Sequence, residues 1–151
     1  MQSVDYKELT DHDLLGLCIW REARGETQEG QFAVGCSIRN RVRQPGWWGK
    51  SYQTVILKPW QYSSFNKADP NSSKWPDDAD HSWITCTLAA SRVLADENDI
   101  TGGSTHYYDT SIPFPASWGE QEKWDNMLNI GRLRFWRKAI EHSADVSIST
   151  D

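Results

Sequence analysis

Apolar residues recur at helical spacing in three stretches of the chain. Leu15, Cys18 and Ile19 fall at i, i+3 and i+4, and Glu22 follows at i+7. That spacing predicts one helix face, with a carboxyl group continuing an apolar stripe. Thr10 stands where an N-cap belongs and Asp13 lies three residues on. The first helix is therefore expected over residues 11–24, with Gly25 as a left-handed stop. Gln31, Val34, Gly35, Ile38 and Val42 predict the buried side of a second helix, capped by Thr27 and ending before Pro45-Gly46. Its far end, Arg39-Asn40-Arg41-Val42-Arg43, is basic and reads as a solvated end complementing the helix dipole. Trp83, Ile84, Thr87, Leu88, Ser91, Leu94 and Ala95 predict the core stripe of a third helix, from about residue 80 to 95.

The segments between are shorter. Residues 52–57 can form one or two helical turns. Aromatic and polar residues alternate from Pro59 to Phe65, which reads as a short strand or extended loop. Residues 66–79, rich in Asn, Asp, Ser, Pro and Lys, read as a loop, and long loops in compact domains are often functional. Thr101-Gly102-Gly103 is a turn, residues 104–108 are extended, and residues 111–119 form another loop. Trp124, Met127 and Leu128 suggest a short helix. Arg132 to Ile140 is a basic, aromatic segment of open type. The expected organisation is a lead-in over residues 1–10, one domain over 11–142 and a polar tail over 143–151.

Composition narrows the classes. A chain of 151 residues with 38% hydrophobic and 25% charged content can bury a real core. Its net charge of −5 argues against a nucleic-acid binder working through a general basic surface. Nine Trp residues exceed what a core of this size needs, and exposed Trp faces suit flat apolar surfaces such as sugar rings. Cys18, Cys36 and Cys86 are odd in number and lie in apolar helical stretches. They read as buried free thiols, a Cys18–Cys36 bridge being the alternative. His12, His81, His106 and His142 share no metal-ligand spacing, so neither zinc nor another cofactor is expected. No signal peptide and no membrane-length apolar run is visible, so membrane binding is not expected.

Glu22 carries the sharpest chemical signal. Burial disfavours its charged form, and the negative end of a helix does the same, while Arg21 and Arg24 oppose both. A carboxyl held partly protonated near neutral pH is what a general acid needs. The plainer alternative is a helix-end glutamate in surface ion pairs. Glu26 is the rival acid, beyond the Gly25 stop.

Several blocks then resemble one family. Glu22-Ala23-Arg24-Gly25-Glu26, with Gln31 and Asn40-Arg41-Val42, resembles the start of the SleB-type cell-wall hydrolases, which include spore-cortex-lytic enzymes and phage lysins. Gln61-Tyr62-Ser63 resembles that family's Gln-Phe-Ser block. Gly102-Gly103-Ser104-Thr105-His106-Tyr107 resembles its Gly-Gly-Ala-Thr-His-Tyr block. Ile130-Gly131 with Phe135-Trp136 resembles its closing block, although Leu133 stands where that block carries His.

The resemblance implies an α+β, mainly helical, lysozyme-like fold with a small β element flanking a substrate groove. It implies cleavage of the β-1,4 bond between N-acetylmuramic acid and N-acetylglucosamine in peptidoglycan, by a monomer needing no cofactor. Glu22 would be the catalytic acid. Acting alone, it would make the enzyme a lytic transglycosylase. A water-using muramidase needs a second carboxylate, for which Asp69, Asp77, Asp78 and Asp109 are loop-borne candidates. A non-catalytic glycan-binding or virion module is the third reading. Gln61, Tyr62 and Ser63 would line one side of the groove and Thr105, His106 and Tyr107 the other, Tyr62 serving equally well as packing. Trp47, Trp48, Trp60 and Trp75 are candidates for stacking on sugars. With no signal peptide in view, a chain made in a cytoplasm and acting on the bacterial wall, as phage lysins do, is expected.

Overall fold

The computed structural model describes residues 1–44, 46 and 48–140; Trp47, His142 and the tail lie outside the described residues. Four α-helices come first: α1 (Asp11–Ala23), α2 (Gln28–Arg43), α3 (Tyr52–Ile56) and α4 (His81–Leu94). Three strands follow, β1 (His106–Asp109), β2 (Trp124–Ile130) and β3 (Leu133–Lys138). They form one antiparallel sheet in the order β1-β3-β2. No described helix is long and apolar enough to cross a membrane.

Helix α1 is the centre of the fold. Its N-cap is Thr10, whose hydroxyl accepts from the Asp13 N–H. From Leu14 to Arg21 every residue is buried, because α4, α2 and α3 pack around it. Thr27 caps α2 in the same way, through the Gly30 N–H. The end of α1 differs from expectation. Gly25 has no left-handed φ, and the helix closes through the Arg24 N–H on the Trp20 carbonyl. All three cysteines are buried and free.

Helix α4 turns a different face inward than the periodicity predicts. Ile84 and Leu88 are 48% and 51% exposed, whereas Cys86, Ala89, Ala90 and Val93 are buried together with Trp83. Small side chains win this interface because they let helices approach closely. At Gly35 of α2 an added Cβ would come within 2.7 Å of Val93 Cγ2 and 3.2 Å of Ile19 Cδ1. Large apolar residues on α4 have no room there and stay outside.

The basic end of α2 also departs from the solvated picture. Only Arg43 is exposed, paired with Asp96. Arg39 is buried and donates to the Val93 and Glu97 carbonyls, at the end of α4 where the helix dipole is negative. Asn40 donates to the Ser104 carbonyl and the Asp99 carboxylate. Asp99 in turn accepts from Thr101 and Gly103, closing the turn before β1. Gly102 has φ +60 there, a conformation that favours glycine. Burial pushes the Asp99 carboxyl up, but the donors of Thr101, Asn40 and Gly103 together hold it below its ordinary value.

Two further elements differ from expectation. Residues 59–65 form turns and a 3-10 helix at Ser63–Phe65 rather than a strand. Residues 124–130 form strand β2 rather than a helix, with a bulge between Asn126 and Leu128 that breaks the alternation. The open segment after Arg132 is β3, whose Leu133, Phe135 and Trp136 are buried.

Gly35→Ala should destabilise the fold by about 1–3 kcal/mol through overpacking against Val93. A lower urea midpoint with unchanged far-ultraviolet circular dichroism is the expected result.

Candidate active site

Glu22 lies on the last turn of α1, partly exposed where the helix meets the sheet. Gln31 fixes that corner, since its amide donates to the Ala23 and Glu26 carbonyls. Two hydroxyls converge on the carboxyl group. Tyr107 Oη of β1 donates to Oε1 at 2.8 Å, and Ser64 Oγ donates to Oε2 at 2.9 Å. Burial raises the Glu22 pKa above its ordinary value. The Tyr107 and Ser64 hydrogen bonds lower it and the nearby Asp69 charge raises it, and the net shift is upward. The protonated form is thus favoured on a carboxyl that keeps two fixed partners.

Arg21 explains how Ser64 comes to be there. It points away from Glu22 into a cage of Tyr6, Phe65 and Trp75, its guanidinium about 5 Å from each ring (5.3, 4.8 and 5.0 Å). Its nitrogens donate to the Lys74, Ser72 and Ser64 carbonyls. A buried cation with no counter-ion among the described residues needs this full set of acceptors. The loop of residues 64–74 is thereby tied to the helix turn that carries Glu22. Arg24 adds a bond to the Asn71 side chain.

Arg41 does the same on the other side. Its Nε donates to the Thr105 carbonyl at 2.7 Å and its Nη1 to Gln61 Oε1 at 2.6 Å. The guanidinium stacks over the Trp48 and Tyr62 rings. One side chain thus joins α2, the turn at residues 61–62 and the start of β1. Alternation along β1 then sends Tyr107 to Glu22 and His106 to the opposite side. His106 sits among Trp48, Trp118 and Trp124, with Thr105 Oγ1 at 2.9 Å from its Nδ1. Burial, with Arg41 and Lys138 nearby, pushes its pKa down to about 3, so the ring is neutral at any working pH.

The site opens into a groove. A cavity of about 150 Å³ is lined by Glu22, Arg41, Gln61, Tyr62, His106, Tyr107 and Trp118. It shares Arg41, Gln61, His106 and Trp118 with a larger one of about 820 Å³ that Trp48, Trp60, Trp124 and Lys138 also line. Trp60 is 81% exposed and has a positive φ of 69°. A non-glycine residue in that region is strained, and here the strain holds a large ring out on the lip.

The structure brings together Glu22, Gln61, Tyr62, Thr105, His106 and Tyr107, with Trp60 on the rim. Ser63 is exposed and lines neither cavity; its neighbour Ser64 makes the contact with Glu22. Ser63 follows from the Gln61-Tyr62-Ser63 block resemblance, and the 3-10 turn at Ser63–Phe65 turns its neighbour inward instead. Trp75 belongs to the Arg21 cage rather than the groove. Trp118 and Trp124 escaped the sequence reading, although the excess of Trp was a signal that further rings face solvent. Leu133 is buried between Asp109 and Ile130 in the sheet, where no imidazole would meet substrate. Asp109 is occupied with Arg132 and the Ser111 N–H, so Asp69 is the acid that Glu22 feels. Among the described residues no three His, Cys, Asp or Glu side chains gather as a metal site.

A mainly helical domain with a small antiparallel sheet, and an acid at the floor of the groove between them, is a lysozyme-like fold. The chain belongs to the cell wall hydrolase family, whose model matches residues 25–136. It is thereby a peptidoglycan-degrading enzyme. The match begins just past Glu22. The catalytic domain of the Bacillus cereus SleB protein shares the fold, with a TM-score of 0.64 and 23% identity over 84% of this chain and 89% of that one. No curated protein matches the chain.

Tyr107→Phe removes a donor that favours the charged carboxylate, so Glu22 should titrate higher still. Carbon-13 NMR of the Glu22 carboxyl across pH reads the midpoint, and Ser64→Ala should move it the same way. A second expectation concerns stability. The Glu22 pKa is higher folded than unfolded, so its contribution is fully present below the unfolded value and is lost as pH rises through the folded one. Glu22→Gln removes that loss. Its melting temperature should exceed the parent's at pH 8 and converge with it at pH 4.

Proposed function

We propose that this enzyme cleaves the β-1,4 bond between N-acetylmuramic acid and N-acetylglucosamine as a lytic transglycosylase, with Glu22 as its single acid and base. The observation that carries this reading is a carboxyl of raised pKa, held by Tyr107 and Ser64 at the floor of an aromatic-lined groove. Among the described residues no other carboxylate lines either cavity.

Glu22 in its protonated form gives its proton to the bridging oxygen as the bond to C1 of muramic acid breaks. The carboxylate so formed takes the proton from the muramic acid's C6 hydroxyl, whose oxygen closes on C1. The product ends in a 1,6-anhydro ring, Glu22 regains its proton and no water is consumed. A hydroxyl already tethered beside the reacting carbon replaces water at little entropic cost. Tyr107 and Ser64 steady the carboxylate between the two transfers. Neutral His106, braced by Thr105, takes no part in proton transfer and offers a fixed edge to an N-acetyl or hydroxyl group. Gln61, Tyr62 and Thr105 line the wall, and Trp60 gives a sugar ring a stacking face.

Asp69 favours a second reading. Its charge reaches Glu22, so it is the carboxylate from which a hydrolytic mechanism would have to start. Product analysis separates the two. Glu22→Gln should abolish lysis, by at least ~10²–10⁴ in rate, while remaining folded. Digestion in oxygen-18 water should give anhydromuropeptides without label. Heavy oxygen at reducing ends, lost in Asp69→Asn, would establish the muramidase instead.

A further inference from the structure

The groove is cationic although the chain as a whole carries −5. Among the described residues no Asp or Glu lines the 820 Å³ cavity, while Arg41, Arg137 and Lys138 do. Arg137 is partly compensated by Asp125 at 3.7 Å. Arg41 and Lys138 are not: neither has a carboxylate within ion-pair distance among the described residues. Arg41 spends Nε and Nη1 on neutral carbonyl oxygens, which leaves Nη2 over for a ligand. Lys138 is exposed at the end of β3, with Nζ above the Trp124 ring at 5.9 Å. His106 between them adds no charge, since it is neutral. A desolvated guanidinium without a counter-charge is costly in the empty groove and is stabilised when an anion arrives.

We infer that Arg41 and Lys138 form a receptor for a carboxylate carried on a muramyl residue, so that the groove selects anionic over neutral glycan. This rests on the peptidoglycan reading of the site. N-acetylated sugar rings are uncharged. In that polymer the carboxylates sit on the lactyl side chain of muramic acid, when it is free, or on the peptide attached to it. An appended group of this kind reaches the wide, positive part of the groove while the glycosidic bond lies in the narrow part over Glu22. The aromatic rings of Trp48, Trp118 and Trp124 bound the same space and limit its water, which strengthens the attraction.

Titration calorimetry on the Glu22→Gln protein tests this with three probes: a neutral chitin oligosaccharide, a glycan strand stripped to free lactyl carboxylates, and a strand with intact peptides. Both carboxylate-bearing probes should bind more tightly than the neutral one, with an advantage that shrinks as salt is raised. Lys138→Gln should weaken the anionic probes about three- to tenfold and leave the chitin oligosaccharide unchanged, and Lys138→Arg should restore the difference. Whichever anionic probe loses more in Lys138→Gln identifies the carboxylate that is read. Equal weakening of all three probes, or of none, overturns the receptor. Failure of every probe to bind overturns it too, and if the parent enzyme also fails to lyse purified walls the peptidoglycan reading falls with it.

Discussion

A buried guanidinium must find acceptors, and three of them set the shape of this protein. Arg21, Arg39 and Arg41 project from the two central helices and have almost no exposure to solvent. Among the described residues, apart from Arg39, 3.7 Å from the exposed Asp96, none has an ion pair, so backbone carbonyls supply most of their solvation. The carbonyls come from the end of α4 at residues 93–97 and from two segments with little apolar content of their own, at residues 64–74 and 104–105. Those two segments have little hydrophobic burial to order them. Hydrogen bonds to charged groups, at about 1.5–3 kcal/mol each, do it instead. The helices supply rigidity, and the arginines pass it to the loops that carry chemistry.

Glu22 sits where two of these tethers meet. Arg21, its neighbour in sequence, delivers Ser64, and Arg41 holds the start of the strand that delivers Tyr107. Neither guanidinium forms an ion pair with the carboxylate. Had Arg21 turned toward Glu22, its charge would favour the carboxylate and pull the pKa down. Its bonds to the loop carbonyls keep the charge engaged elsewhere. The same arrangement leaves a positive groove beside a carboxyl whose pKa is raised.

The sequence reading succeeded where local periodicity and packing agree. Helices α1 and α2 could be read with their N-caps, and Leu15, Cys18 and Ile19 of the stripe leading to Glu22 are buried as the spacing requires. For α4 the element was legible and its buried face was not. Trp83 belongs to both candidate faces, and the deciding factor was the close approach that Cys86, Ala89 and Ala90 permit. Strand β2 was hidden by its bulge at Met127, which leaves no clean alternation. The charged end of α2 looked solvated because its partners are distant in sequence, twenty residues away for Gln61 and more than fifty for the rest. The site blocks were recognisable as blocks, yet Ser63 was preferred to Ser64, since only the three-dimensional turn decides which hydroxyl points inward.

The link between Tyr107 and Glu22 spans 85 residues, twice the 42 that separate Ser64 from Glu22. Each doubling of a closed loop adds about 0.6 kcal/mol of entropy. Contacts within the helical trio are cheaper to close, since α1 and α2 are nearly adjacent in the chain. On those grounds the acid acquires its second hydroxyl only when the carboxy-terminal sheet docks, after the helices have formed. A chain stalled before that step would carry nearly all of its helical signal and a carboxyl still open to water. Helicity therefore reports collapse of the first two-thirds of this chain, and the Tyr107–Glu22 contact reports docking of the sheet.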